Sequence, residues 1–360
     1  MKVIFIVNSL QNQRCIKRIA EFISEGADVQ VYAYSRQSEQ YTNDLFPIEI
    51  VGDLDNSMSY LKRFPILSRS IRTVVIRHKR EDVMFYLFGL DIAMVFRMID
   101  KQNKYIYEES DLVHTYVSNA LLRGTLEYVD KRIIKSSYKT VLTSEGFLMY
   151  HFGKVKPENC VIIPNRLNSS ILQLDYSRPK TASSDKIRVG FVGKPRFKSV
   201  VNFAKVMCEY SDKFEFHIFG GPILEESSGF QQLEKYENYQ YHGPFKNPND
   251  LPDIYSQIDL VLSTYDVEFE NVRYAEPNKI YEAMFFNTPI IVSKDTFLAQ
   301  KVERLGIGFA VDPLNDEDVK ALLANLNKVA ILEKQNNCSS IERSTLVDSN
   351  RQFIQSVLGA

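Results

Sequence analysis

Residues 263–292 read STYDVEFENVRYAEPNKIYEAMFFNTPIIV, and the order of residue types in this stretch decides the fold. The apolar run Asp259-Leu-Val-Leu ends at Ser263 and Thr264 and a polar loop follows. Pro277 then fits the first turn of a helix, and Pro289-Ile-Ile-Val opens another strand. Strand, loop, helix and strand in that order form the repeating unit of a parallel α/β sheet. Lys279 and Glu282 lie three residues apart and so share a helical face. The helix N-terminus and Lys279 suit a diphosphate, whereas Glu282, one turn further in, suits the hydroxyls of a ribose. A surface ion pair on a capped helix has the same spacing, and both readings stand at this point.

Working outward, short apolar runs recur at 2–7, 29–34, 83–88, 105–108, 140–143 and 160–163. They restart at 187–192, 214–219, 239–242, 259–263, 289–293 and 308–311. Continuous apolar runs alternating with helical stretches predict buried parallel strands, and two such series predict two doubly wound, Rossmann-like domains. Between them, 173–186 (QLDYSRPKTASSDK) loses the apolar pattern and has the composition of a linker. The expected division is therefore 1–172, a linker and hinge at 173–186, 187–343, and a terminal segment 344–360. Helices are expected over 316–333 and 344–358.

At 360 residues, with 44% hydrophobic and 25% charged content, the chain suits two cores. A net charge of −1 gives no general attraction to nucleic acid, so a small-molecule partner is expected. Cys15, Cys160, Cys208 and Cys338 are scattered, with neither a C-x-x-C pair nor adjoining histidines, which argues against zinc and against a disulfide framework. No apolar run approaches the ~18–20 residues of a membrane span, and the start lacks a signal-peptide pattern. A cytoplasmic location is expected, with peripheral attachment to the inner membrane face as an option. That option comes from residues 60–80, where Lys62, Arg63, Arg69, Arg72, Arg77, Lys79 and Arg80 interleave with apolar residues and no acid intervenes. Such a pattern suits anionic lipid head groups, or the solvated face of a domain helix.

Three further constellations carry chemistry. Gly193 ends a strand, and Arg196 and Lys198 follow, so backbone amides and two cations come together where a phosphate would sit. A guanidinium can clamp two phosphate oxygens, which favours Arg196. Gly220 follows the next strand, as a turn or as a close approach for a nucleotide. In the first series Glu109, Asp111 and His114 follow a buried strand, either as acceptor or catalytic groups or as caps and solvated charge. Asn8-Ser9 follow the first strand without a G-x-G-x-x-G fingerprint, which speaks against a nicotinamide enzyme.

The block Pro277-Asn-Lys-Ile-Tyr-Glu-Ala-Met, with Asn287-Thr-Pro-Ile-Ile-Val after it, resembles the donor-binding block of glycosyltransferase family four. Phe191-Val-Gly-Lys-Pro-Arg, His217-Ile-Phe-Gly-Gly, Tyr241-His-Gly-Pro, Tyr255-Ser-Gln-Ile-Asp-Leu-Val-Leu and Gly306-Ile-Gly-Phe resemble its other segments, in the family's order, over roughly 185–330. The resemblance implies a GT-B enzyme of bacterial polysaccharide type that moves a sugar from a nucleoside diphosphate sugar to a saccharide or lipid-linked acceptor. Retention of configuration and no metal or other cofactor are implied with it. Donor contacts are implied for Gly193, Gly220, Ser263, Asn278, Lys279, Ile280 and Glu282, diphosphate stabilisation for Arg196 and Lys198, and acceptor orientation for a first-domain group such as Glu109 or His114. The family's paired glutamates, with seven residues between them, are broken here, because with Glu282 as the second the first falls on Tyr274; Glu276, Glu270 and Glu268 are near. A nucleotide-sugar epimerase and a catalytically silent sugar-nucleotide-binding subunit are the alternatives. Turnover of the donor without an acceptor, or binding without turnover, distinguishes them.

Overall fold

The computed structural model describes residues 1–10, 13–36, 45–55, 58, 60–176, 185–222 and 229–359. It divides into two units: Met1–Pro164 together with Ser349–Ala360, and Asn165–Asp348.

In the first unit the chain runs β1 (Lys2–Val7), α1 (Gln13–Ser24), β2 (Asp28–Ser35), β3 (Ile48–Asp53), α2 (Tyr60–Arg77), β4 (Val83–Phe88), α3 (Leu90–Ile99), β5 (Tyr105–Glu109), α4 (Ala120–Ser136), β6 (Lys139–Leu142), α5 (Glu145–Phe152) and β7 (Cys160–Ile162). The seven strands are parallel, in the order β3-β2-β1-β4-β5-β6-β7. Strands covered on both faces read as unbroken apolar runs, and VIFIV and VMFYLF are buried along their whole length. Only β3 escaped the sequence reading. It is an edge strand in which Glu49 and Ile50 are exposed, so its apolar pattern is diluted.

The second unit runs β8 (Ile187–Val192), α6 (Lys198–Cys208), β9 (Phe214–Phe219), β10 (Tyr239–Gly243), α7 (Leu251–Ser256), β11 (Leu260–Ser263), α8 (Glu270–Tyr274), α9 (Lys279–Phe285), β12 (Ile290–Ser293), α10 (Phe297–Leu305), β13 (Gly308–Val311), α11 (Asp316–Asn325) and α12 (Lys328–Ser339). Its six parallel strands lie in the order β10-β9-β8-β11-β12-β13. One face is covered by Val200, Phe203 and Met207 of α6 with Val319 and Leu323 of α11. The other is covered by Tyr255 of α7, Ile280 and Met284 of α9, Val302 of α10 and Cys338 of α12.

The expected helix 316–333 is two helices. Asn327 breaks it, because its side chain accepts the Ala330 N–H at 2.9 Å and so starts α12 as an N-cap. The terminal helix is shorter than expected: α13 (Arg351–Leu358) follows a 3-10 turn at 343–346. Ile354 and Val357 of α13 are buried in the first unit's core, and Asn350 donates to Glu21 of α1 at 3.0 Å. The division falls between Pro164 and Asn165 instead of within 173–186, since Leu167 and Ile171 are buried in the second unit's core and Leu167 bridges Val347. Residues 177–184 of the expected linker lie outside the described residues.

Candidate functional site

At the C-terminal ends of β8, β9, β11 and β12, three loops of the second unit converge. Gly193 follows β8, and its φ of +146 lies in a region that glycine tolerates. Gly193 donates to the Phe219 carbonyl at 2.8 Å, and a Cβ on Gly220 would stand 1.7 Å from the Gly193 carbonyl oxygen. Gly220 is therefore a requirement of packing between the two strand ends. That accounts for its glycine through packing at the strand ends.

After Gly193, Lys194, Arg196 and Lys198 are exposed and Pro195 is buried, so three cations project from a loop anchored beneath them. The amides that open α6 are already engaged. Asp266 accepts Lys198 N–H at 3.3 Å through Oδ2 and Ser199 N–H at 2.9 Å through Oδ1. The helix end that seemed open to a phosphate thus holds a buried carboxylate from the β11–α8 loop, and the cationic side chains are what this loop offers an anion.

Arg196 stacks over Phe197 at 4.8 Å, and Phe197 meets the Tyr265 ring edge-on at 4.8 Å. Tyr265 is fixed by Ser293, whose Oγ accepts its N–H at 2.9 Å and donates to its carbonyl at 2.9 Å. Ser263, buried at the end of β11, donates to the Tyr265 hydroxyl at 3.4 Å. Burial pushes the Tyr265 phenol up; Ser263 and the Arg196 charge pull it down, and the Glu282 charge adds to the rise. Arg196 on one loop and Glu282 on α9 therefore act electrostatically on one phenol.

Lys279 and Glu282 meet, as their spacing predicts: Nζ lies 2.8 Å from Oε2. Their setting differs from the expected open face. Glu282 is fully buried and Lys279 is 9% exposed. Oε2 also accepts the Tyr255 hydroxyl at 2.7 Å, and Oε1 accepts Asn278 Nδ2 at 3.1 Å. Glu282 is thus an internal anchor that fixes Lys279 and Asn278 at the start of α9. The reason is α7, which packs Tyr255 against that face. Ile280 is fully buried in the core beneath, so it supports the helix from below. Tyr274, half-buried, ends α8. Glu276 does not replace the missing carboxylate: it is buried, paired with Lys301 at 2.7 Å and hydrogen-bonded by Tyr281.

Glu109 and His114 are turned into the first unit. Strand β5 continues through Glu109, which puts both Glu108 and Glu109 inside the sheet. Glu109 faces His151 Nε2 at 2.9 Å, and His114 Nδ1 lies 3.3 Å from Asp130. Glu109, His114 and Asp130 each bring one donor atom within 4.8 Å of the others. Burial first, and Asp130 second, push the Glu109 carboxyl well above the carboxylate range, and burial lowers His151 to about 4. Glu109 and His114 consequently brace the loop after β5, and the expectation that they meet an acceptor is corrected on their burial of 1% and 0%. Asp111 on the same loop is exposed.

On α2, Arg77 pairs with Glu49 at 2.6 Å and Arg63 donates to the Asp55 carbonyl at 3.1 Å. Lys62, Arg69, Arg72, Lys79 and Arg80 are exposed. Among the described residues no helix is long and apolar enough to cross a membrane.

Residues 186–329 match the family described as Glycosyl transferases group 1. Over 348 residues the chain is 20% identical to the succinoglycan biosynthesis protein ExoL of Rhizobium meliloti (strain 1021), covering 91% of this chain and 85% of that protein. In fold it is similar to sucrose-phosphate synthase from Thermosynechococcus elongatus, with a TM-score of 0.67 at 15% identity over 100% of this chain and 97% of that one. It is also similar to HepE of Anabaena in complex with UDP and glucose, with a TM-score of 0.69 at 15% identity and full coverage of both chains. The family match lies within the second unit, and the two parallel sheets give the chain a GT-B, α/β fold.

Proposed function

We propose that the chain transfers a sugar from a nucleoside diphosphate sugar held at the loops of the second unit to a saccharide or lipid-linked saccharide acceptor handled by the first. The observation that carries this reading is the convergence at Tyr265. The cationic loop 193–198 reaches it through Phe197, and the Glu282 charge raises its phenol from α9. The complexes of HepE with UDP-glucose and the succinoglycan role of ExoL support a nucleotide-sugar donor and a polysaccharide product.

The chemistry asks for stabilisation of a departing diphosphate. Exposed Arg196, held over the Phe197 ring, and exposed Lys198 supply the positive charge, and Glu282 holds Lys279 at the start of α9. The proposed transfer is metal-independent and retaining. With Glu109 and His114 buried, Asp111 is the carboxylate of the β5 loop placed to meet an acceptor hydroxyl. The exposed cations of α2 favour peripheral attachment to an anionic membrane surface, where a lipid-linked acceptor resides.

A thermal-shift panel of nucleoside diphosphates tests the donor reading. At a hundred times its dissociation constant a ligand of the folded state stabilises by about 2.7 kcal/mol, which raises the melting temperature by several degrees. One base should do so; no shift with UDP, GDP, ADP, CDP or dTDP would contradict the reading.

A further inference from the structure

Helices α2, α3 and α4 pack side by side. Between α3 and α4 runs a groove of about 760 Å³, lined by Arg97, Lys101, Arg132 and Lys135 and by no carboxylate. The chain as a whole balances 44 basic against 45 acidic residues, so four cations without an acid are a local segregation. Both helices end beside the groove. Their C-terminal dipoles each offset about half a charge, which leaves it net positive by roughly three. Arg97 is held in place, donating to the Asp100 carbonyl at 3.0 Å and lying 5.5 Å over the Tyr105 ring. Lys101, Arg132 and Lys135 are exposed, and none pairs with a described carboxylate.

The floor is apolar. Met94 and Ile133 line it, and Met98 is 62% exposed, a thioether left uncovered at the mouth. A free phosphate would use the cations and have no need of this floor; an apolar chain alone would have no need of the cations. The two together complement an anionic amphiphile, and the exposed cations Arg69 and Arg72 of α2, the helix that packs on α3, share the same preference.

We propose that the α3–α4 groove seats the phosphate and the first acyl methylenes of an anionic phospholipid drawn from a bilayer surface. The proposal rests on the membrane attachment proposed above, but it assigns the lipid contact to a different pair of helices.

Two measurements on the full chain test it: flotation with phosphatidylglycerol/phosphatidylcholine vesicles, and calorimetric binding of soluble dihexanoyl phosphatidylglycerol. A Lys101→Gln, Arg132→Gln, Lys135→Gln variant should lose short-chain lipid binding and fall roughly a hundredfold in vesicle partitioning, given that each basic residue contributes about as much as the next. Met98→Gln should weaken the short-chain lipid and leave glycerol phosphate unaffected. An Arg69→Gln, Arg72→Gln variant should float less yet bind the short-chain lipid as wild type does. Unchanged short-chain binding in the triple variant, or glycerol phosphate binding as tightly as the lipid, would overturn the groove and leave attachment through α2 standing. Wild type that neither floats with anionic vesicles nor binds the short-chain lipid would overturn both.

Discussion

Replacing Glu282 by alanine separates what residue spacing suggests from what packing imposes. Spacing alone predicts a cleft residue whose loss weakens donor binding and spares the fold. In the structure the carboxylate is fully buried and accepts from Tyr255 at 2.7 Å, Lys279 at 2.8 Å and Asn278 at 3.1 Å. Glu282→Ala strands an ammonium and a phenol in the interior, and breaking such a pair from one side costs about 3–5 kcal/mol. For a unit of this size, 1 kcal/mol is worth about 2–4 °C, so the second unit's transition should fall by roughly 6–20 °C in scanning calorimetry. Lys279→Met should cost less, because Tyr255 and Asn278 still donate to the carboxylate. The double variant should cost less than the sum of the two by about 0.5–3 kcal/mol, since the partners share one network. Melting of Glu282→Ala within about 2 °C of wild type would refute the reasoning and return Glu282 to an open, ribose-facing position.

Three other outcomes follow from the same site and its sheet. Asp266→Ala removes the carboxylate that caps α6 and should destabilise the second unit by about 0.5–2 kcal/mol in calorimetry, whereas Asp266→Asn, still a capping side chain, should stay close to wild type. His217 is held down to about 4, chiefly by burial and then by His242. Because its folded value lies below the ordinary ~6.5, the unfolded chain binds the proton first, and stability falls as pH drops from about 6.5 to 4. His217→Gln should flatten the melting-temperature profile in that window, and parallel profiles would contradict the assignment. Sugar transfer should persist in excess chelator, where complete loss reversed by magnesium would contradict the metal-independent reading.

Much of the fold was legible because strands buried on both faces leave continuous apolar runs, as in Ile187–Val192 and Val83–Phe88. The half-exposed edge strand β3 left no such run. The Lys279–Glu282 contact was legible from helical periodicity, but its burial depends on Tyr255, 27 residues away from Glu282. Asp266 reaches α6 across 67 residues to Ser199, so nothing near Gly193 announces that the helix end is already occupied. Glu109 and His114 sit at a strand end, where a sequence cannot tell an exposed carboxylate from one that continues the sheet. Their partners Asp130 and His151 come from α4 and α5. The break at Asn327 did carry a local signal, a capping residue inside a periodic helix, which the 316–333 reading passed over.

In the proposed transfer the cationic loop after β8 receives the donor's diphosphate through Arg196. Calorimetric titration of wild type and Arg196→Gln, each with the preferred nucleoside diphosphate and with its monophosphate, tests it most directly. The second phosphate should add at least about tenfold in affinity for wild type, the yield of a charge-assisted contact, and this increment should disappear in the variant while monophosphate binding is retained. An equal increment in both proteins would contradict it and place the diphosphate elsewhere.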